Sequence, residues 1–464
     1  MKITVFNGSP KGSKSNTVYS LYYLQNQYPQ HEFTLCNVGK EINKMLRNEE
    51  DIYPRLIESI RQSDGILWVC PVYIFSVPSQ LIRFIEMLYE RNDAALLAGK
   101  YAAFITTSLH VMDNFACEYI KAVSEELHMH FVGSFTAETT DILIENERKK
   151  LLQFAEYYFR SIADHGVFQK QYTLPASYLR HEPADLTHSF PQIETGKKVI
   201  IIKDDDNNKT LNSVVDVYHG FFKKQPEMVT VTDIEIKGGC YGCLFCGFDS
   251  TCIYDFGGKD KFTAYFNEHI RTADIIVFAA TITHGNLSGK MKQFLDRIFF
   301  NNHTQPLKGK QVAFILDGVI VHVPFIRQIL EGFAEIQAAN LAGIISVDNE
   351  EKASFVPALF RLASDSVFFS MTDYVKPMDF LGVGAHKVLR DNVYGYYRKI
   401  LCADYFYFRK NKMFDFPKRN IFQWLHVSTI LLLNNFMLFR KLYYKSAHKK
   451  GMMKLNKAVG NKVS

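Results

Sequence analysis

The sequence has 464 residues, which is too long for one ordinary core and predicts two or three domains. Its 47% of hydrophobic and 22% of charged residues are typical of a globular protein and exclude a disordered or fibrous one. Eight cysteines in this length exclude a small disulfide scaffold.

The net charge of +6 is distributed unevenly along the chain. Residues 387–464 carry 17 Lys and Arg and 3 Asp, a net charge of +14. Residues 1–386 carry 37 basic and 45 acidic residues, a net charge of −8. The acidic body argues against nucleic-acid binding by the whole protein, whereas the basic tail suits an anionic surface.

The first third of the chain alternates short apolar runs with segments of helical period. Because Lys2–Phe6 already has the pattern of a strand, no secretory signal peptide is expected. Strands are predicted at Lys2–Phe6, Glu32–Cys36, Gly65–Cys70, Ala102–Thr107 and Phe131–Phe135, and helices at Thr17–Gln27, Ile52–Arg61, Gln80–Tyr89, Phe115–Leu127 and Glu147–Ile162. Continuous apolar strands between helices indicate an α/β fold, with a parallel sheet covered on both faces.

The same pattern repeats in the second half. Gly99–Ile105 recurs as Gly309–Ile315 at an offset of 210, whereas Ile3–Phe6 matches Val199–Ile202 at an offset of 196. The difference of 14 residues predicts an insertion in the second copy before Asp274. We expect a sheet domain at 1–166, a linker at 167–197, a second sheet domain at 198–370 and a basic, mostly helical extension at 371–464.

Two loops of the first domain follow strands at the edge where open α/β sheets bind ligands. Asn7–Thr17 is rich in Gly, Ser and Lys and opens a helix, so its N–H groups, hydroxyls and lysines suit a phosphate. The alternative is a Ser-rich turn that caps the helix. Pro71–Pro78 is apolar and aromatic, which suits a flat ring system or packing on the next helix.

Together, Gly8-Ser-Pro-Lys-Gly-Ser-x-Ser-Asn-Thr17 and Pro71-Val-Tyr-x-x-Ser-Val-Pro78 resemble the NADPH-dependent FMN reductases of the flavodoxin-like fold. The resemblance implies two tandem doubly wound sheets with strand order 2-1-3-4-5. It also implies an FMN whose phosphate is held by Ser9, Lys11, Ser15, Asn16 and Thr17. The isoalloxazine ring would lie on Pro71, Val72, Tyr73, Ile74 and Phe75, with Thr106, Thr107 and Ser108 contributing from the fourth strand.

Four cysteines lie close together in the second domain: Cys240, Cys243, Cys246 and Cys252. The first three have the spacing of ferredoxin-type clusters, whereas structural zinc usually separates two cysteine pairs by a longer loop. Zinc, or four unmetallated core thiols, remain alternatives. The segment resembles the cysteine motif of the iron–sulfur flavoproteins, which implies a [4Fe–4S] cluster near a flavin.

The second copy departs from the reductase pattern. Its phosphate loop reads Lys203-Asp-Asp-Asp-Asn-Asn-Lys-Thr210, and adjacent carboxylates repel a phosphate. Thr281–Leu287 replaces the aromatic loop. We therefore expect FMN in the first half only, and one redox unit split between the halves. His110 and His284 are weaker candidates for contact with the flavin edge.

Two classes of function follow. The first is a cytoplasmic NAD(P)H-dependent oxidoreductase that passes electrons from FMN to the cluster and on to an unknown acceptor, with NAD(P)H or a redox protein as donor. The alternative is a non-catalytic flavin-binding scaffold with a structural metal or unmetallated cysteines. The oligomeric state stays open, a homodimer included.

The basic tail is interleaved with aromatic residues at Tyr394–Tyr397, Tyr405–Phe408 and Trp424. That composition predicts an interfacial contact with an anionic membrane, at the inner face of the cytoplasmic membrane. Polar residues interrupt the apolar run Ile421–Phe439, so it is not expected to span a bilayer. The alternative is that the tail packs on the acidic body.

Overall fold

The computed structural model describes residues 1–172, 190–205, 207–318, 320–347, 352–416, 421–443 and 446. Most of the expected linker lies outside the described residues, as do Asp206 of the second phosphate loop and the side chain of Trp424. The chain divides into two compact units, Met1–Asn411 and Lys412–Ser464. Both sheets belong to the first unit.

The first sheet is parallel, with the order β2-β1-β3-β4-β5. Its strands are β1 Lys2–Asn7, β2 Glu32–Cys36, β3 Gly65–Pro71, β4 Tyr101–Ser108 and β5 His130–Glu138. Its helices are α1 Val18–Gln27, α2 Val38–Leu46, α3 Ile52–Gln62, α4 Ser79–Glu90, α5 Asn114–Glu126 and α6 Glu145–Ala163. Apolar residues cover both faces of the strands, and on one face Phe6 packs edge-on against Trp68 and Phe84, with ring centroids 4.9 and 5.2 Å away.

All strands and helices predicted in this half are present, and one helix was not predicted. Helix α2 buries Val38, Ile42 and Met45, which have helical spacing. It lies against the phosphate loop, since a Cβ at Gly39 would come within 2.1 Å of the Gly8 carbonyl oxygen. Only glycine permits this contact between the helix and the loop.

The second sheet repeats the order as β7-β6-β8-β10-β11, all parallel, with the short strand β9 antiparallel to β8. Its strands are β6 Val199–Lys203, β7 Glu227–Thr230, β8 Ile275–Thr283, β9 Asn286–Leu287, β10 Gln311–Asp317 and β11 Asn340–Ser346. Its helices are α7 Lys209–Gly220, α8 Lys261–Tyr265, α9 Gly289–Ile298, α10 Pro324–Ile336 and α11 Lys352–Met371, and α8 continues as a π-helical turn at Phe266–Ile270. Strands β8, β10 and β11 begin 210 residues after β3, β4 and β5, which confirms the repeat.

Helices α4 and α9 join the two halves through a reciprocal set of hydrogen bonds. The Ser79 N–H donates to Asp296 Oδ2 at 2.8 Å, and the Gly289 N–H donates to Glu86 Oε1 at 2.7 Å. The two donors are 210 residues apart in the sequence, and so are the two acceptors. Each helix therefore supplies the carboxylate that caps the other, as in an isologous dimer.

The C-terminal extension is divided between the two units. Helices α12, Phe380–Tyr394, and α13, Cys402–Lys410, belong to the first unit, and α12 packs on α10 through a hydrogen bond from the Gly382 N–H to Glu335 Oε2, 2.7 Å long. Helix α14, Ile421–Leu433, belongs to the second. Within the described part of the chain, no helix has the length and apolarity needed to cross a membrane.

Candidate active site

A cleft of about 240 Å³ opens at the carboxyl ends of the first sheet, between the two halves. Eleven of the thirteen residues predicted to contact FMN line it: Ser9, Lys11, Ser15, Asn16, Pro71, Val72, Tyr73, Ile74, Phe75, Thr107 and Ser108. The other two, Thr17 and Thr106, are buried beside it. The Thr17 hydroxyl is bonded to that of Thr107, and Thr106 donates to the Cys70 carbonyl, so both hydroxyls act within the protein.

Hydrogen bonds from the Asn7 side chain fix the conformation of the phosphate loop. Asn7 accepts the Ser9 N–H through Oδ1 and donates through Nδ2 to Asn37 of the segment before α2. Gly12 has a φ of +57°, in the left-handed region that favours glycine. Among the described residues, the backbone N–H groups of Asn16 and Thr17 have no acceptor, and both precede α1. A loop with free N–H groups at a helix N-terminus suits a phosphate.

The loop after β3 is a strained turn. Tyr73 and Ser76 exchange two backbone hydrogen bonds, and the two residues between them, Ile74 and Phe75, have φ of +43° and +62°. This turn ordinarily takes Asn-Gly, and a left-handed isoleucine is a genuine outlier that costs about 1–3 kcal/mol. Lys292 of the second half supports the turn, since its Nζ donates to the Tyr73 carbonyl at 2.8 Å.

The second half and the C-terminal extension complete the cleft. From the second half it is lined by Cys240, Gly242, Leu244, Asp296, Phe299, Asn302, His303, Phe333, Ile336 and Gln337. The extension adds Leu389, Tyr397 and Leu401. None of these except Cys240 was a candidate from the sequence, because no local motif connects them with the phosphate loop. Only the packing of α12 and α13 on the second half brings the extension to the cleft.

The four cysteines of the second half line one small cavity, together with Tyr254 and Arg297. Burial raises the pKa of Cys240 to about 12 and also raises the pKa values of Cys246 and Cys252. Of the described residues, no three His, Cys, Asp or Glu side chains converge closely enough to hold a single metal ion. Neither a structural zinc site nor an iron–sulfur cluster is shown by the described residues.

The cavity nevertheless contains groups that stabilise negative sulfur. The Gly242 N–H donates to Cys240 Sγ at 3.3 Å. The Arg297 guanidinium is 1% exposed, pairs with Asp260 at 2.6 Å and lies 4.0 Å from Cys252 Sγ. An iron–sulfur cluster separates its cysteine ligands more widely than one ion does, and hydrogen bonds to its sulfurs tune it. The Gly242 N–H and the Arg297 guanidinium are groups of the kind that would stabilise such sulfurs.

The cysteine segment contacts the strained turn directly. A Cβ at Gly242 would lie 1.9 Å from the Tyr73 hydroxyl oxygen, so the backbone of this segment and the Tyr73 side chain are in tight contact. Gln80 of α4 donates to the Cys240 carbonyl at 3.4 Å. The predicted flavin loop of one half and the cysteine segment of the other are thus neighbours.

The equivalent loops of the second half are filled by protein groups. Asp204 is fully buried and accepts the Thr281 N–H at 2.7 Å, and burial raises the pKa of this carboxyl. His284 stacks on Tyr89 with centroids 3.7 Å apart and bonds to Glu126 Oε1 at 2.8 Å. His284 therefore lies in the interface between the halves, outside the cleft lining.

His110 also lies outside the cleft lining. Its Nδ1 is 2.8 Å from Asp113 Oδ2, and this hydrogen bond raises the pKa of His110. Asp113 also accepts the Ser108 hydroxyl, so the pair supports the end of β4.

A sequence model of the NADPH-dependent FMN reductases matches residues 1–140 and 207–333, more than half of the chain. The chain belongs to this family. The protein is accordingly an NAD(P)H-dependent flavin oxidoreductase with two flavodoxin-like domains in tandem. A search of the curated proteins finds no significant match to the reductase.

Several solved structures resemble part of the reductase. An NADH:FMN oxidoreductase, EMOB in its apo form, is 19% identical, covers 34% of this chain and 88% of its own, and has a TM-score of 0.29. FerB, an NAD(P)H:(acceptor) oxidoreductase from Paracoccus denitrificans, is 20% identical, covers 36% and 98%, and has a TM-score of 0.26. An FMN-dependent NADH-azoreductase from Bacillus anthracis is 14% identical, covers 36% and 100%, and has a TM-score of 0.25.

Proposed function

We propose that the reductase binds one FMN per chain, in the cleft of the first half, and that the second half covers it. The observation that carries this proposal is the convergence of the predicted phosphate and ring residues on one cleft. The equivalent place in the second half holds the buried carboxylate of Asp204, which would repel a phosphate.

The residues of the cleft have separable roles in this proposal. The free N–H groups of Asn16 and Thr17, the hydroxyls of Ser9 and Ser15 and the charge of Lys11 hold the phosphate. The strained turn at Ile74 and Phe75 presents an apolar surface to the ring, and Lys292 keeps that turn in place. Bound here, FMN would supply the chemistry of taking a hydride from NAD(P)H and of passing electrons on in pairs or singly.

The test is FMN content per chain. The wild type should hold one FMN, and Ser15→Asp should hold almost none, because the new carboxylate is buried where the phosphate would lie. Ser213→Asp is the matched control, since it makes the same substitution on a partly exposed residue of α7 in the second half. Two FMN per chain, or full occupancy in Ser15→Asp, would contradict the proposal.

We further propose that Cys240, Cys243, Cys246 and Cys252 hold a [4Fe–4S] cluster that receives electrons from the FMN. The common cavity, the buried guanidinium of Arg297 and the contact of Gly242 with Tyr73 support this proposal. None of the eight cysteines is paired in a disulfide, which is consistent with a reducing compartment such as the cytoplasm.

The cluster proposal is tested by iron and FMN analysis of protein purified without oxygen. Cys243→Ser combined with Cys246→Ser should abolish bound iron and leave FMN in place. Cys402→Ser is the control, because this thiol lies outside the cysteine cavity. Stoichiometric zinc without iron would overturn the assignment.

The tail is proposed to contact an anionic membrane surface. Among its described residues, Phe422, Leu432, Met437 and Leu438 are 81%, 69%, 72% and 73% exposed, and the surrounding chain is basic. The full chain should co-sediment with vesicles containing anionic lipid, and a chain ending at Asn411, the boundary of the first compact unit, should not. Equal binding to neutral vesicles would refute the electrostatic part of the proposal.

A further inference from the structure

The C-terminal extension lines the cleft with three successive parts of its chain. We name residues 380–410 the strap, which consists of α12, a short 3-10 turn at Tyr396–Lys399 and α13. Leu389 of α12, Tyr397 of the turn and Leu401, which precedes α13, all line the cleft. The strap therefore follows the cleft over much of its course instead of touching it at one point.

Both ends of the strap are fixed to the second half. Near its start, the Gly382 N–H donates to Glu335 Oε2 at 2.7 Å. Near its end, Asp404 Oδ1 accepts the backbone N–H of His303 at 2.9 Å, and Asp404 Oδ2 is 2.7 Å from His303 Nδ1. Asp404 is 0% exposed, so water does not compete for these two hydrogen bonds. The pair of Asp404 and His303 thus acts as a latch for α13.

The middle of the strap reaches the first half. Burial raises the pKa of Tyr397, and a hydrogen bond with the Thr139 side chain opposes that rise. Thr139 follows β5, and it lines both the cleft and a small neighbouring pocket together with Asn16 of the phosphate loop. The strap therefore bridges the two halves at the end of the cleft where the phosphate loop lies.

Close packing holds the strap as well as hydrogen bonds. A Cβ at Gly247 of the cysteine segment would lie 2.4 Å from the Ile400 carbonyl oxygen, so the two backbones are in direct contact. Leu389 and Val393 of α12 and Phe408 of α13 are buried. The strap is thus an integral part of the cleft wall.

We propose that the strap closes over bound FMN and keeps it in the cleft through turnover, so that the flavin is a resident group and not a substrate released after reduction. A ligand enclosed in this way leaves only when part of the enclosing protein moves, so opening of the strap sets the rate of release. Asp404 is the positioning residue that holds the strap shut. The inference rests on the proposed FMN site and is independent of the proposed cluster.

The two rate constants for FMN separate a gate from an ordinary contact. Loss of a residue that only contacts a ligand raises the dissociation rate and leaves the association rate nearly unchanged. Loss of a residue that holds a gate shut raises both rates by a similar factor, because FMN enters and leaves by the same opening. Asp404 lies outside the cleft lining, so its replacement tests the gate without removing a contact to FMN.

The experiment uses the full chain loaded with radiolabelled FMN and chased with excess unlabelled FMN, and the retained label is counted after rapid desalting. Association is followed by the change in flavin absorbance when FMN-free protein is mixed with FMN. The wild type should keep its label through many turnovers with NADH. Asp404→Ala should raise both rates about tenfold or more and change Kd by less than about threefold.

A second variant keeps the test independent of the folding of Asp404→Ala, which circular dichroism checks. Tyr397→Ala should also raise both rates, and dissociation by the larger factor, because a ring is lost from the cleft wall. Tyr396→Ala is the matched control, since this neighbouring tyrosine is 58% exposed and lies outside the cleft lining. It should leave both rates within about twofold.

Three results would overturn the inference while FMN content stays normal. They are loss of the label from the wild type within one turnover, unchanged rates in folded Asp404→Ala and Tyr397→Ala, and faster dissociation of both variants without faster association. A wild type that binds no FMN would instead overturn the proposed function and this inference with it.

Discussion

Removing the two reciprocal caps between α4 and α9 should lower the free energy of unfolding by different amounts, although the two caps occupy equivalent positions in the repeat. Asp296 is fully buried and forms an ion pair with Lys292, which is 2% exposed. Asp296→Ala removes a helix cap worth about 1 kcal/mol and leaves a buried ammonium group without its carboxylate, which costs about 3–5 kcal/mol. The expected loss in the free energy of unfolding is therefore about 4–6 kcal/mol, a large share of the usual total.

Replacement of Glu86, the equivalent residue of the first half, should lower the free energy of unfolding far less. Glu86 is 14% exposed, and its ion pair is with Arg83, which is 30% exposed. Glu86→Ala removes one cap and a screened pair, so its expected cost is about 1–2 kcal/mol. Adding Lys292→Met to Asp296→Ala should restore at least about 2 kcal/mol, because the unpaired buried charge is then gone.

These values are measured by urea unfolding followed by circular dichroism, with the slope compared among variants. Asp296→Asn serves as the conservative control, since its amide oxygen can still accept the Ser79 N–H. Similar losses in the two alanine variants, or no recovery in the double variant, would refute the assignment of the cost to the buried ammonium group.

Three other outcomes follow from local geometry. Ile74→Asn should raise the free energy of unfolding of FMN-free protein by about 1 kcal/mol in urea, since asparagine tolerates positive φ, and a loss would contradict the strain in that turn. Gly242→Ala should destabilise the protein by more than Gly257→Ala in the same assay, because a Cβ at Gly242 meets Tyr73 at 1.9 Å, whereas at Gly257, also at positive φ, it meets nothing within 4 Å. The Asp113 hydrogen bond raises the pKa of His110, so its stabilisation is complete below the unfolded pKa of about 6.5 and is lost as pH rises through the folded value. His110→Gln should therefore lower the free energy of unfolding by more at pH 6 than at pH 8. The loss should be less than about 1 kcal/mol, because His110 is 43% exposed.

The sequence was sufficient for the fold because the relevant signals are local. Apolar runs such as Gly65–Cys70 predict buried strands. Because the pattern recurs 210 residues later, the same prediction holds for the second sheet. Helix α2 escaped prediction although Val38, Ile42 and Met45 have helical spacing, because Gly39 and a polar surround weaken its propensity.

Much of the candidate site was also predictable, namely the part that lies in contiguous loops after β1, β3 and β4. The sheet fixes the position of those loops, because each loop begins at the carboxyl end of a strand. Residues such as Ser15 and Tyr73 therefore lie at the cleft, which opens at the same edge of the sheet. The same reasoning found the change at Asp204, where a carboxylate stands in the second phosphate loop. These are consequences of short-range chain geometry.

Tertiary structure alone decided what closes the cleft. His303 and Asp404 are 101 residues apart and meet only because α13 packs beside the second half. The contact of Gly242 with Tyr73 likewise depends on the packing of α4 against α9. The reciprocal caps of these two helices can be recognised only in the folded structure. Such contacts leave no periodic pattern in the sequence, because they depend on side-chain packing between elements that the chain connects by long paths.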